Sequence, residues 1–324
     1  GVEEATAPLN SFLQLYHAFK WIASSPNDKV AVDGWLFGDY GDPYQIAEGK
    51  IQIRKDTIQA NQFKELLAKA RNLIEEERFL NWEVAFPGVW KHWEWHEPEG
   101  GFDAVIGNPP WEKMKLDPVE WFASRMPEVS LAPNSAARKK MIDGLRKQNS
   151  PVWHDYEKAD RHAKISMDRA RKDWHYPLLS GGDFNLYSLF LERSHKLINE
   201  IGTVGLLVPS GIASDKYASK FFELISTNDR LSALFDFENK KVFFPDIDSR
   251  FKFCIYVAVG IQQKVVHADI AFFLHNTEEI DEPGRVFSLG SEDFIRVNPN
   301  TRTAPIFRTN RDAEIVLRIY EKFP

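Results

Sequence analysis

Helical and strand-like periods divide this 324-residue chain unevenly. Near the start, Leu9, Phe12, Leu13, Tyr16 and Phe19 recur at helical spacing, followed by a glycine-punctuated stretch from Lys29 to Gln45. Between Thr57 and Arg78, Phe63, Leu66, Leu67, Ala70 and Ile74 share one side of an amphipathic helix. Phe102 to Gly107 is a short apolar run bounded by glycine and proline, the pattern of a buried parallel strand. Residues 112–180 then turn polar and helix-prone without a strong apolar run, which predicts a helical insertion.

Regular alternation resumes beyond it. Residues 183–202 read as one amphipathic helix with an Asp-x-Asn start and a glycine stop. Thr203 to Gly211 reads as a buried strand, Lys216 to Asp229 as a helix, and Leu231 to Asn239 and Phe251 to Gly260 as strands. This alternation predicts an α/β fold on a parallel sheet. The loop between the last two strands has no room for a good helix, which leaves an antiparallel pairing open. The expected organisation is therefore a mostly helical part at 1–98 and a strand with its turn at 99–111. The insertion follows at 112–180, the C-terminal half of the sheet at 181–270, and a linker at 271–324.

Composition narrows this only a little. At 43% hydrophobic and 27% charged the chain has an ordinary globular make-up with room for a large core. It has no apolar run of about 18 residues, as a membrane span needs, and no basic start followed by an apolar stretch, as a secretory signal needs. The single cysteine, Cys254, rules out an internal disulfide and a cysteine-built zinc site, and points to a reducing, cytoplasmic setting. A formal net charge of −6 argues against polyanion binding by the whole surface but permits a local basic groove.

The chemistry is concentrated after the run Phe102 to Gly107, where the chain continues Asn108-Pro109-Pro110-Trp111. Consecutive prolines stop a helix, fix φ and push the preceding residues out of the α region. The result is a stiff turn at the carboxyl end of a strand, where open α/β sheets bind their ligands. It presents two acceptors, the Asn108 side-chain oxygen and the Pro109 carbonyl, beside an indole face. That set suits methyl transfer to an exocyclic amino group conjugated with a ring. The acceptors would hold both amino hydrogens and stabilise the charge that develops on nitrogen, and Trp111 would stack on a base taken out of the duplex.

Phe-Asp-Ala-Val-Ile-Gly-Asn-Pro-Pro-Trp resembles motif IV of the amino-directed, S-adenosylmethionine-dependent DNA methyltransferases, in the N6-adenine group. The resemblance extends to 81–90, 183–197, 202–215 and 298–320, which are similar to large fused restriction–modification methylases of type IIG and to related phage-defence methylases. It implies a Rossmann-like methyltransferase sheet, incomplete in its N-terminal half, with a helical insertion. It also implies S-adenosylmethionine as cofactor and double-stranded DNA as partner, with base holding assigned to Asn108, Pro109, Pro110 and Trp111. Phe184, Asn185, Tyr187 and Pro209 match the region lining the cofactor pocket. Phe253, or its neighbour Phe251, is a candidate for the second face of the base sandwich.

One departure stands out. The family's glycine-rich cofactor loop, Asp/Glu-x-x-x-Gly-x-Gly, is not found. The nearest stretch has Gly34, Gly38 and Gly41 at the wrong spacing, with Pro43 interrupting the helix that should follow. The expectation is a piece of a longer protein whose N-terminal and target-recognition segments lie outside this sequence. Lys113, Lys115, Arg138, Lys139 and Lys140 are candidates for phosphate contacts, although interleaved acids make a plain solvated helical face equally reasonable. His92 and His96 stand four apart but lack the His-Glu-x-x-His arrangement and a third ligand, so no metal is expected. A Pro-Asp and an acidic-x-Lys element occur in reversed order, which gives no nuclease reading. Two rivals remain: an amino methyltransferase acting on N4-cytosine, RNA or protein, and a DNA-binding or scaffolding piece without chemistry of its own.

Overall fold

The computed structural model describes every residue except 93–98, 173–175, 183, 301–302 and 324, and nothing is described of the His92 side chain. The chain divides into two compact units, Gly1–Glu99 and Gly100–Pro324.

The first unit is helical: α1 (Val2–Ile22), α2 (Pro26–Leu36), α3 (Pro43–Ala47), α4 (Ile58–Glu77) and α5 (Trp82–Ala85) precede the short strand β1 (Trp90–His92), and the two-residue β2 (Glu99–Gly100) falls at the division. Side-chain caps start α2 and α4, with Ser25 accepting from the Asp28 N–H and Thr57 from the Ala60 N–H. An aromatic core holds them together, Phe63 lying 5.3 Å from Phe19 and 5.1 Å from Tyr40 between ring centroids. The glycine-punctuated stretch from Lys29 to Gln45 belongs to this unit. Gly34 lies inside α2, where a Cβ would come within 2.6 Å of the Tyr40 hydroxyl.

The second unit is built on a six-stranded mixed sheet. Its strands are β3 (Phe102–Gly107), β4 (Ile198–Pro209), β5 (Leu231–Glu238), β6 (Lys252–Val259), β7 (His267–Leu274) and β8 (Phe287–Gly290), in the order β3-β4-β6-β5-β7-β8. The pairs β3–β4 and β5–β7 are parallel and the other three antiparallel. The fold is therefore α/β with a mixed sheet, in which the antiparallel pairing left open for the last two strands of the sequence reading is formed between β5 and β6. The short connection between β5 and β6 forces the chain straight back.

Strand alternation sorts the side chains. Val204, Leu206, Val208, Leu234, Cys254 and Tyr256 join the larger core. It also holds residues of α10 (Leu186–Leu197), α11 (Gly211–Ser214), α12 (Ser219–Thr227), α13 (Ser291–Val297) and α14 (Asn310–Lys322). Leu207, Phe235, Phe237, Phe253 and Ile255 point the other way, into a smaller cluster rich in phenylalanine.

Between β3 and α10 the insertion forms α6 (Pro118–Ala123), α7 (Pro127–Ser130), α8 (Ser135–Lys147) and α9 (Pro151–Lys172), with a core of its own around Phe122, Val129, Ile142 and Leu145.

Three expectations are corrected. The helix read over 183–202 ends at Leu197; Ile198 is extended and opens β4, where its pairing with β3 begins opposite Phe102. Residues 271–324 are no linker. They complete the sheet with β7 and β8 and bury Phe287, Leu289, Phe294 and Phe307 in its core. Finally, β3 is an edge rather than a buried strand. Only β4 pairs with it among the described residues, and Ile106 is 84% exposed because nothing described covers its outer side.

Candidate functional site

The Asn108–Trp111 turn leaves β3 one step beyond its last ladder partner, where Gly107 sits opposite Leu206. It lies at the same end of the sheet as Pro209 closing β4, Ser210 after it, Glu238 closing β5 and Lys252 opening antiparallel β6. Pro109 is buried and thereby fixes the turn, whereas Asn108 and Pro110 are exposed. The Asn108 amide thus reaches solvent from a rigid base. Trp111 is half-buried, and its indole N–H donates to the Leu207 carbonyl at 3.3 Å, continuing the β3–β4 ladder with a side chain. Its ring meets Phe244 edge-on at 6.2 Å and Phe253 at 6.4 Å between centroids.

The chain leaving the turn is fastened in turn. Leu186 N–H donates to the Glu112 carbonyl at 2.9 Å, and Lys113 forms an isolated antiparallel bridge with Asn185. Asn185 occupies the N-cap of α10 but makes no capping bond with its side chain. The fold therefore brings Asn185 beside the motif turn, 77 positions away in sequence from Asn108 and invisible to local pattern.

The remaining candidates separate. Pro209 is partly exposed at the end of β4. Phe184 and Tyr187, at 5% and 6% exposure, are packed into two different hydrophobic clusters and present no open face to a ligand. The reason is the amphipathic start of α10, which turns its apolar residues inward. Phe253 is 3% exposed and stacks on Phe237 at 5.3 Å, with Phe243 and Phe244 edge-on, so a base cannot reach its ring as placed. Phe251 is the exposed member of that pair. Arg138 is also committed elsewhere: its guanidinium donates to the carbonyls of Val129 and Ser130, closing the end of α7. Lys113, Lys115, Lys139 and Lys140 are exposed. His96 lies outside the described residues, as does the His92 side chain.

Two features at this edge escaped sequence reasoning. Ser210 donates to Asp236, a carboxylate buried on β5 that also accepts from the Phe273 N–H at 3.4 Å; burial pushes its pKa up. Next to it, Glu238 is paired with Lys240, Lys252 and His275, and the bonds from Lys240 and Lys252 lower its pKa to about 2. No sequence motif signals either, because Ser210, Phe273, Lys252 and His275 reach them from distant parts of the chain.

A cradle for S-adenosylmethionine is not formed by the described residues. The glycine-punctuated stretch is a helix and turn of the first unit, and two of the four side chains assigned to the pocket are buried.

Comparison with known proteins gives one family. The Eco57I restriction-modification methylase model matches residues 9–131 and 156–243, more than half of the chain. Among solved structures, the chain is similar to the ATP-dependent Type ISP restriction-modification enzyme LlaBIII bound to DNA, at 9% identity, covering 69% of this chain and 12% of that one, with a TM-score of 0.27. A nuclease-deletion mutant of the Type ISP enzyme LlaGI with a DNA substrate mimic gives 11% identity, 79% and 22% coverage and a TM-score of 0.32. A DrdV–DNA complex gives 14% identity, 76% and 22% coverage and a TM-score of 0.31. At these scores none of the three bears on fold or function, and the chain matches less than a quarter of each. No curated protein sequence matches. Among the described residues, no helix is long and apolar enough to cross a membrane. By the extent of its match, the chain belongs to the Eco57I restriction-modification methylase family.

Proposed function

We propose that this chain holds a flipped adenine of duplex DNA for methylation at N6, within a restriction–modification or phage-defence methylase of type IIG. The observation that carries the reading is the anchored turn: an exposed Asn108 amide and an adjacent Trp111 fixed by its indole bond to β4. The adenine amino nitrogen is a weak nucleophile because its lone pair is shared with the ring. Acceptance of one amino hydrogen by the Asn108 oxygen and the other by the Pro109 carbonyl draws that lone pair out of conjugation. The same acceptors stabilise the positive charge that grows on nitrogen, a preorganised term worth about 3–4 kcal/mol per contact. No general base is required, since the methylated ammonium loses its proton readily. The exposed Lys113, Lys115, Lys139 and Lys140 are assigned to phosphates.

Membership in a methylase family implies S-adenosylmethionine as the methyl donor. The described residues do not fit its cradle, and the roles assigned here are those of the acceptor side alone. That gap also favours the second reading, a piece that binds DNA without completing the chemistry.

The test is incubation with unmethylated duplex DNA and S-adenosyl-[methyl-³H]methionine, followed by digestion and identification of the labelled nucleoside. Label in N6-methyldeoxyadenosine is expected, and its loss in Asn108→Ala. Label in N4-methyldeoxycytidine would move the target, and DNA binding without label would favour the second reading.

A further inference from the structure

A loop outside the motif turn packs against Trp111. Between β5 and β6 the chain passes from Asn239 to Phe251, and Asn239 is fully buried. Its side-chain nitrogen donates to the carbonyls of Phe244 at 2.9 Å and Ile247 at 3.1 Å, and its side-chain oxygen accepts from the Phe244 N–H at 3.0 Å. The two donors and the acceptor of the amide are all engaged, and all engaged with the backbone of one loop. The main chain closes the loop at its base, the Asn239 N–H donating to the Phe251 carbonyl at 3.0 Å.

The residues that follow are strained. Lys240 and Lys241 both have positive φ, 39° and 64°, a region that residues with a Cβ avoid. Such a pair persists only where neighbouring bonds over-determine it, and the three bonds of Asn239 do so. The redirected chain delivers Phe243 onto Phe237 and Phe253, and Phe244 onto Phe253 and Trp111. Trp111 is thus held by two constraints: the bond from its indole nitrogen to Leu207, and the edge contact from Phe244.

We infer that Asn239 is a positioning residue of the base-holding site, acting through Phe244 to set the plane of Trp111. The functional half of this inference rests on the base-holding reading above; the geometric half does not. Asn239 touches neither Trp111 nor a base. It fixes the loop backbone that carries the ring against which Trp111 rests.

The test uses two readouts on the full chain. The emission of Trp111 is isolated as the difference between each protein and its own Trp111→Phe partner, and its exposure is measured by acrylamide quenching. Asn239→Ala removes all three bonds, whereas Asn239→Asp keeps the acceptor and sets an oxygen against the Phe244 and Ile247 carbonyls; Phe244→Leu, which leaves the Asn239 bonds in place, serves should either fail to fold. Both variants are expected to red-shift the Trp111 component and raise its quenching. Phe244→Leu is expected to do the same, and combining it with Asn239→Asp is expected to add nothing, because the two act in series. Methyl transfer to unmethylated duplex DNA is expected to fall about 10–100-fold in kcat, the scale of a small misplacement of reacting groups, with KM for DNA little changed. An unchanged Trp111 component in Asn239→Asp, or additive effects with Phe244→Leu, overturns the inference. If the unsubstituted chain binds duplex DNA but transfers no methyl group, it does not complete the chemistry by itself, and the emission arm alone decides whether Asn239 positions Trp111.

Discussion

Acid should loosen the second unit through one histidine. His195, in α10, has both ring nitrogens engaged: Nε2 lies 2.9 Å from the Tyr256 hydroxyl and Nδ1 lies 3.0 Å from Nη2 of Arg230. A guanidinium can only donate, so Nδ1 accepts and the ring proton resides on Nε2, facing Tyr256. A second proton on Nδ1 would set two donors and two positive charges against each other. Burial first, and then the Arg230 charge, lower the His195 pKa from 6.5 to about 3. The unfolded chain therefore takes up the proton first as pH falls. The contribution of His195 to stability is complete above the unfolded pKa and is lost as pH falls from 6.5 toward about 3. At about 1.4 kcal/mol per pH unit, the loss between about pH 7 and about pH 4.5 comes to roughly 3 kcal/mol. His195→Gln keeps an acceptor for Arg230 and a donor for Tyr256 but does not titrate. Urea denaturation of both proteins across this range gives the measurement, since every other titrating group cancels in the difference. The unsubstituted protein should lose roughly 3 kcal/mol relative to the variant over that interval. Parallel profiles for the two proteins would refute the assigned tautomer and the burial of the network.

Other consequences can be measured separately. Asn108→Ala, at an exposed position, should leave the denaturation midpoint unchanged while lowering methyl transfer by about 10²–10³-fold, read as tritium incorporation into DNA. Trp111→Phe leaves the Leu207 carbonyl without its indole donor and should destabilise the second unit by about 1 kcal/mol, measured by urea titration. Gly101→Ala should cost at least about 1–3 kcal/mol, because φ is +119° and a Cβ would lie 2.6 Å from the Asn199 nitrogen; a thermal melt reads it. Glu192 is buried and accepts from the Leu178 and Leu179 N–H groups at 3.0 and 2.8 Å, yet burial outweighs these bonds and raises its pKa. Its contribution is present below the unfolded carboxylate pKa and declines as pH rises through the folded one, opposite in sign to His195. Glu192→Gln should remove that slope from the stability profile.

The elements legible in the sequence are those whose cause is local. Two adjacent prolines fix the Asn108–Trp111 turn whatever surrounds it, and helical spacing over Thr57–Arg78 marks α4, observed at Ile58–Glu77. β5 and β6 announce themselves as apolar runs and appear at Leu231–Glu238 and Lys252–Val259. Cys254 is alone in the sequence, so no pairing had to be solved. Even the unsuitability of Gly34, Gly38 and Gly41 as a cofactor loop could be read from spacing and from Pro43.

Tertiary structure decided the rest. Whether an apolar strand is central or an edge depends on what pairs with its far side, so the composition of β3 could not reveal that Ile106 stands exposed. Residues 271–324 lack a strong period and read as a linker, yet β7 finds its place beside β5 and draws β8, α13 and α14 into the core. Phenylalanine looks alike whether it faces a ligand or another ring; only packing showed Phe184 and Phe253 closed off and Phe244 set against Trp111. Asn239 and Asp236 gave no signal at all, because a buried amide or carboxylate is defined by its partners, which chain folding gathers from other strands and loops. Sequence fixes what the backbone can do within a few residues. Which side chains meet across the sheet is settled by burial and by the saturation of hydrogen bonds over the whole unit.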